Sequence, residues 1–374
     1  MKYVALKNIC NINMGQSPNS SSYNGNSEGI PFFQGNADFG EIYPVTRVWC
    51  NEPTKIAQPN DILISVRAPI GALNYAKEEC CIGRGLAAIT PDKNKVSLEY
   101  IYWFLKGKTA ELNGKGTGST FKAIGRKVLE EIMVPDIDLD KQYEYAQILE
   151  ETYAVIQMRK QELKQLEELI KARFVEMFGE PRINPNKYPT KMIKDTCIVI
   201  TGNTPSRKVD EYYGDAIEWI KTDNIVSGLL YPTVASESLS DSGKAVGRTV
   251  DAGAILMACI AGSVASIGRV CITDREVAFN QQINAIVPKE YDVRFLHALL
   301  QISKDYLVED INMALKGIMS KSKLEEKEFI VPSMEEQVGF AEFVEQVNKS
   351  KVAVQNALDE TQKLFNSLMQ QYFG

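Results

Sequence analysis

The chain has 374 residues, 44% of them hydrophobic and 24% charged, enough for two ordinary cores in a globular protein. No apolar run reaches the roughly 18 residues of a membrane span, and the N-terminal MKYVALKNIC lacks the long apolar stretch of a signal peptide. The only histidine, His297, excludes His-rich metal sites and most His-dependent triads, while the net charge of −6 argues against a generic polyanion binder.

The first distinctive stretch is GQSPNSSSYNG, from Gly15 to Gly25. It has a partner, GNTPSRKVDEYYG, from Gly202 to Gly214. Both read Gly, polar, Ser/Thr, Pro, a polar run, then Tyr and Gly, which suits a turn opening a domain. Asp61–Val66 (DILISV) reads as a short strand. Gly71 opens GALNYA, matched by GRVCIT at Gly268, and Ile82–Pro91 matches Phe279–Pro288 at an offset of 197. Ser97–Gly107 reads as an amphipathic helix whose counterpart is Val293–Ser303. GKGTGST (Gly114–Thr120) has no apolar strand leading into it, so it reads as a flexible phosphate-contacting loop and not a cofactor cradle. EEIMVP ending at Pro135 matches KEFIVP ending at Pro332, an alignment that leaves two extra residues before Gln142 relative to Gln337.

From Gln142 to Phe178 there is neither Gly nor Pro, and Leu149, Ile156, Leu163, Ile170 and Met177 recur every seven residues. The second half repeats this with Val344, Lys351, Leu358, Phe365 and Tyr372, beside a second seam of Phe340, Val347, Val354, Thr361 and Leu368. Heptads held this long predict a coiled coil with each helix roughly 55 Å long. The residues expected in the seam or against a partner are Leu149, Ile156, Leu163, Ile170, Val347, Val354, Leu358 and Phe365. Between the halves, GEPRINPNKYPTK (Gly179–Lys191) holds three prolines and reads as a linker. In the second half, Ala254–Ile260 (AILMACI) and Arg269–Thr273 (RVCIT) read as strands. The result is a tandem duplication of one α+β unit: a first recognition domain at 1–138, a long helix at 139–179, a linker and second domain at 180–333, and a second long helix at 334–374.

Chemistry-bearing motifs are missing. The sequence has no P-loop, no G-x-G-x-x-G after a strand, and no Asn-Pro-Pro-aromatic tetrad. Seven cysteines, an odd number without a C-x-x-C, fit reduced thiols in a cytoplasm and no metal cage. Nothing points to a catalytic site or to a metal.

The whole layout resembles the specificity subunits of type I restriction–modification systems. The residues that carry this are the GQSP and GNTP loops, the VP…Q helix entries at Pro135/Gln142 and Pro332/Gln337, the FGEP junction at Phe178–Pro181, and the duplication itself. The resemblance implies two pseudo-symmetric target recognition domains joined by two long helices in an antiparallel coiled coil. It implies a non-catalytic chain that reads a bipartite, gapped site in double-stranded DNA. Two modification (methyltransferase) subunits and restriction subunits would be its partners, and S-adenosylmethionine, ATP and Mg would belong to those partners. Other readings of the same layout are a DNA-recognition subunit of another restriction or methylation system, and a coiled-coil scaffold without a nucleic-acid role.

Charge distribution and side-chain chemistry nominate contacts. Residues 1–135 carry a net +3, whereas 136–179, 180–335 and 336–374 carry −4, −3 and −2. Phosphates call for Lys, Arg, Ser or Thr, guanine for Arg, and adenine for Asn or Gln. In the first domain these are Arg67, Arg84, Lys115, Ser119, Thr120 and Lys122. In the second they are Lys221, Asn224, Gln281, Gln282, Lys316, Lys321 and Lys323. Arg84 and Gln281 stand 197 positions apart, so one loop position switches from Arg to Gln, as two different half-sites require.

Overall fold

A computed structural model describes residues 2–118, 122–261, 266–309, 311 and 317–374. The chain separates into two compact units, one of Met1–Arg159 with Ala357–Gly374, the other of Lys160–Asn356. The division falls within the long helices because each unit packs half of both helices.

The first unit is built on an antiparallel four-stranded sheet in the order Cys10–Met14, Leu86–Pro91, Ile62–Ser65, Leu73–Tyr75. Ile62, Leu63 and Ile64 are all fully buried, so this strand is an unbroken apolar run and not an alternating one. A second sheet of short strands includes Ile30–Phe33 running parallel to Cys80–Ile82. Tyr3–Ala5 pairs with Met133–Pro135 and so ties the N-terminus to the entry of the first long helix.

The second unit repeats the plan. Its main sheet runs Cys197–Thr201, Ile283–Pro288, Ile255–Ala258, Val270–Ile272. Its second sheet pairs Ile217–Ile220 parallel with Val277–Phe279, and Thr190–Met192 pairs with Glu328–Ile330.

These registers correct one expectation. Met133–Pro135 corresponds to Glu328–Ile330, an offset of 195, so Pro135 aligns with Ile330 and not with Pro332. Gln142 and Gln337 lie at the same offset, and the two apparently extra residues disappear. The Val-Pro dipeptides are a coincidence of composition two positions out of register.

Both long helices are 40 residues, Leu139–Phe178 and Met334–Phe373. In the first unit the start of one meets the end of the other, with Tyr145 stacked on Tyr372 at 3.9 Å and Tyr153 near Phe365 at 5.9 Å. In the second unit the end of the first helix meets the start of the second, with Phe174 and Phe178 at 5.4 and 5.7 Å from Phe340. The helices therefore run antiparallel. Leu149, Ile156, Val347, Val354, Leu358 and Phe365 are buried as the heptads require, whereas Leu163 and Ile170 are only half-buried. Beyond Ile156 the buried positions of the first helix move to Phe174 and Phe178. A straight helix drifts against a strict seven-residue repeat, and these two rings also pack on Phe295 of the globular part.

Each helix is anchored by one buried amide. Gln142 accepts from the Ser97 backbone N–H at 2.9 Å and donates to the Ile137 carbonyl at 2.8 Å. Gln337 accepts from the Asp292 N–H at 2.9 Å and donates to the Pro332 carbonyl at 3.0 Å. The repeated Gln is thus a clamp between the helix start and the N-cap region of the domain's own helix.

Candidate nucleic-acid interface

The GQSP and GNTP loops leave the main sheet at the ends of Cys10–Met14 and Cys197–Thr201. Gly15 donates to the Leu86 carbonyl at 2.9 Å, and Gly202 to that of Ile283 at 3.0 Å. A Cβ at Gly15 would lie 2.2 Å from the Gly83 carbonyl oxygen, and one at Gly202 2.1 Å from that of Asn280. Only glycine lets the loop approach that closely. The hydroxyl two residues on then ties the loop to its neighbours. Ser17 Oγ bonds Gln34 at 3.1 Å and accepts from the Arg84 N–H at 3.3 Å, while Thr204 donates to Gln281 Oε1. The prolines are held by the later tyrosines, Tyr23 Oη to the Pro18 carbonyl at 3.0 Å and Tyr213 Oη to that of Pro205 at 2.7 Å. The shared Gly, hydroxyl and Tyr of the repeated loop thus each have a structural task.

Around this scaffold the first unit brings Arg67, Arg84 and Lys122 together on adjoining backbone, all three exposed. Val66 N–H donates to the Gly85 carbonyl at 2.9 Å, Ala68 N–H to that of Lys122 at 3.1 Å, and Arg67 bridges Ala123. Lys115 is exposed but reaches Glu111 at 2.6 Å, an i,i+4 pair worth only a few tenths of a kcal/mol. Ser119 and Thr120 lie outside the described residues.

In the second unit the Cys259 N–H donates to the Gln282 carbonyl at 2.8 Å and the Met319 N–H to that of Cys259 at 2.8 Å. The exposed Gln281, the half-exposed Gln282 and the segment leading to Lys321 and Lys323 therefore share one edge. Lys321 pairs with Glu325 at 3.5 Å, Lys323 is exposed, and Lys316 lies outside the described residues. Lys221 is half-buried, bridged to Glu237 at 2.9 Å and set 5.1 Å over the Trp219 ring. Lys221 and Arg207 together hold the Glu237 carboxyl below its ordinary range. Asn224 is a correction. It is buried, caps the Lys221 N–H at 3.0 Å and donates to Thr233 and Val234, so its amide has no edge left for a base. The sequence alone does not show that the side chain of this Asn closes its own turn.

Two exposed cations that the sequence reading did not nominate, Lys55 and Arg248, also lie beside the repeated loop. The signal was present, since KIAQPNDILI aligns with RTVDAGAILM at an offset of 193.

Among the described residues no group of three or more His, Cys, Asp and Glu side chains could hold a metal ion. All seven cysteines are buried and unpaired, and burial pushes the thiols of Cys10, Cys80, Cys259 and Cys271 up to about 12, far from reactive. No described helix is long and apolar enough to cross a membrane.

Comparison with known proteins matches this architecture. The family model for the type I restriction modification DNA specificity domain matches twice, at residues 1–168 and 185–361. A putative type I restriction enzyme MjaX specificity subunit of Methanocaldococcus jannaschii is 44% identical over 42% of this chain and 37% of its own length. The MjaIX specificity subunit of the same organism is 29% identical over 47% of this chain and 44% of its own length, so the matches span less than half of these relatives. The EcoBI specificity subunit of Escherichia coli is 21% identical over 99% of this chain and 85% of its own length. Among solved structures, the S subunit of a type I restriction–modification system from M. genitalium superposes with a TM-score of 0.56 at 12% identity, covering 100% of this chain and 96% of that one. A chain from a type I R-M system structure concerned with complex assembly and conformational transition superposes with a TM-score of 0.59 at 16% identity, covering 100% and 97%. At those identities the likeness is one of fold.

Proposed function

The chain belongs to the type I restriction modification DNA specificity domain family, and from that premise we propose that it is the sequence-reading subunit of a type I restriction–modification complex, without catalysis of its own. Residues 1–138 and 180–333 act as the two recognition domains, each reading one half of a gapped site in double-stranded DNA. Two modification subunits and the restriction subunits assemble on the chain and bring the S-adenosylmethionine, ATP and Mg, and the complex works in a reducing cytoplasm. Arg67, Arg84, Lys115, Lys122, Lys221, Gln281, Gln282, Lys321 and Lys323 are the described candidates for DNA contact, with Ser119, Thr120 and Lys316 beyond the described residues.

The observation that carries this reading is the Arg84/Gln281 position. The backbone around it keeps its hydrogen bonds in both units, Gln16 N–H to the Ile82 carbonyl at 3.0 Å and Asn203 N–H to the Phe279 carbonyl at 3.1 Å, while the side chain changes from a guanine-type partner to an adenine-type one whose Oε1 accepts from Thr204 and whose amide nitrogen is left to donate. A constant scaffold with a variable tip is what two different half-sites demand. The test is to express the chain with its modification subunits and sequence the methylated motif. Arg84→Ala should relax base preference in one half-site only, by about 1–3 kcal/mol per base pair read. A motif unaltered by the change would remove Arg84 from the readers.

A further inference from the structure

Building on the DNA-reading function proposed above, the duplication separates two kinds of contact. A cation kept at one place in both units serves chemistry common to both half-sites, which is the phosphate backbone. A residue that differs serves base identity.

Strand registers fix which residues correspond. Ile56 pairs with Cys81 and Ala57 with Cys80, and Thr249 pairs with Ala278 and Val250 with Val277. Cys81 and Ala278 are themselves 197 positions apart, as are Cys80 and Val277. Lys55 and Arg248, each one residue before these strands, therefore occupy the same place. Their carbonyls do the same work, accepting from the Ile82 N–H at 2.8 Å and the Phe279 N–H at 3.2 Å. Both side chains are exposed. Each residue also abuts the Gly-x-[Ser/Thr]-Pro loop. Thr54 Oγ1 donates to the Gln16 carbonyl, and the Arg248 N–H donates to Asn203 Oδ1 at 2.8 Å.

The other cations of these faces behave differently. Arg84 becomes Gln281, Lys122 becomes Gly317 and Lys221 replaces Gln34. Arg126 and Lys321 are retained, but each is tied to an acid one turn on, at 3.1 Å to Glu130 and 3.5 Å to Glu325. Lys7 and Lys194 are also matched and exposed, yet they precede Cys10–Met14 and Cys197–Thr201, at the opposite strand end from the Gly15 and Gly202 loops.

We propose that Lys55 and Arg248 are a matched pair of phosphate contacts, one for each half-site, that set how each domain docks on the duplex without reading its sequence. A Lys and an Arg are interchangeable for that purpose in a way they are not for bidentate base recognition.

The test uses the chain assembled with its modification subunits and measures binding to site-containing and unrelated duplexes by fluorescence anisotropy across a salt series. Lys55→Gln and Arg248→Gln should each lower the salt slope by roughly 1, and the double variant by roughly 2. Affinity for both duplexes should fall by the same factor, with the methylated motif and the thermal midpoint unchanged. Lys7→Gln with Lys194→Gln should leave the slope as it is. A wild-type complex that binds while Lys55→Gln and Arg248→Gln keep its slope would overturn the proposal, as would a changed base in one half-site. An equal loss from Lys7→Gln with Lys194→Gln would overturn it too, by removing the distinction between strand ends. A wild-type complex that binds neither duplex would sink the DNA-reading function itself.

Discussion

Single residues hold this structure at points where burial leaves them no alternative partner. Gln142 and Gln337 are the clearest, at 3% and 1% exposure. Gln337→Ala should strand the Asp292 N–H and the Pro332 carbonyl and cost about 1–3 kcal/mol, read as a lower denaturation midpoint of the chain. His297 is a different case. It is buried beside a cavity of about 230 Å³ lined also by Asn348, Lys351 and Gln301, and its Nε2 has no hydrogen-bond partner among the described residues. Burial foremost, with the Lys351 charge as a lesser cause, lowers its pKa to about 4. The unfolded state thus binds a proton that the folded state refuses between about pH 6.5 and 4. Stability should be fully present above 6.5 and fall as pH drops through that window, by on the order of 3 kcal/mol. His297→Phe should flatten this part of the stability–pH curve measured by chemical denaturation; an unaltered curve would show that other groups set it.

At the scale of elements, the long helices carry two demands at once. Each must face its antiparallel partner and also seat a globular domain. This explains why the simple heptad of the first helix is buried at Leu149 and Ile156 but only half-buried at Leu163 and Ile170, while Phe174 and Phe178 take over. Leu358 is 8% exposed, so Leu358→Asp should cost about 2–5 kcal/mol. Leu163→Asp should cost clearly less. Thermal melts of the two variants side by side decide this, and equal losses would mean that the seam continues unbroken through Leu163.

Over the whole molecule, each unit encloses its own main sheet, its own loop scaffold and its own clamp, Gln142 or Gln337. That self-sufficiency predicts modularity. Replacing Lys191–Pro332 by the corresponding stretch of another family member should change one half of the methylated motif and leave the other half and the gap alone, as read by methylome sequencing. Alteration of both halves would mean that the domains do not read independently.

The duplication, the two long helices, the linker and the paired Gly-x-[Ser/Thr]-Pro loops were legible in the sequence because they are local: periodicity, breakers and repeated short motifs survive without knowledge of the fold. Tertiary structure alone decided three things. It slid the Val-Pro match by two residues, since strand partners and not shared composition determine register. It buried Asn224 as a cap and exposed Lys55 and Arg248, since the direction of a side chain in a turn depends on which backbone groups nearby need a partner. And it moved the helix seam onto Phe174 and Phe178, since the face a helix buries is set by everything packed against it, of which the partner helix is only one part.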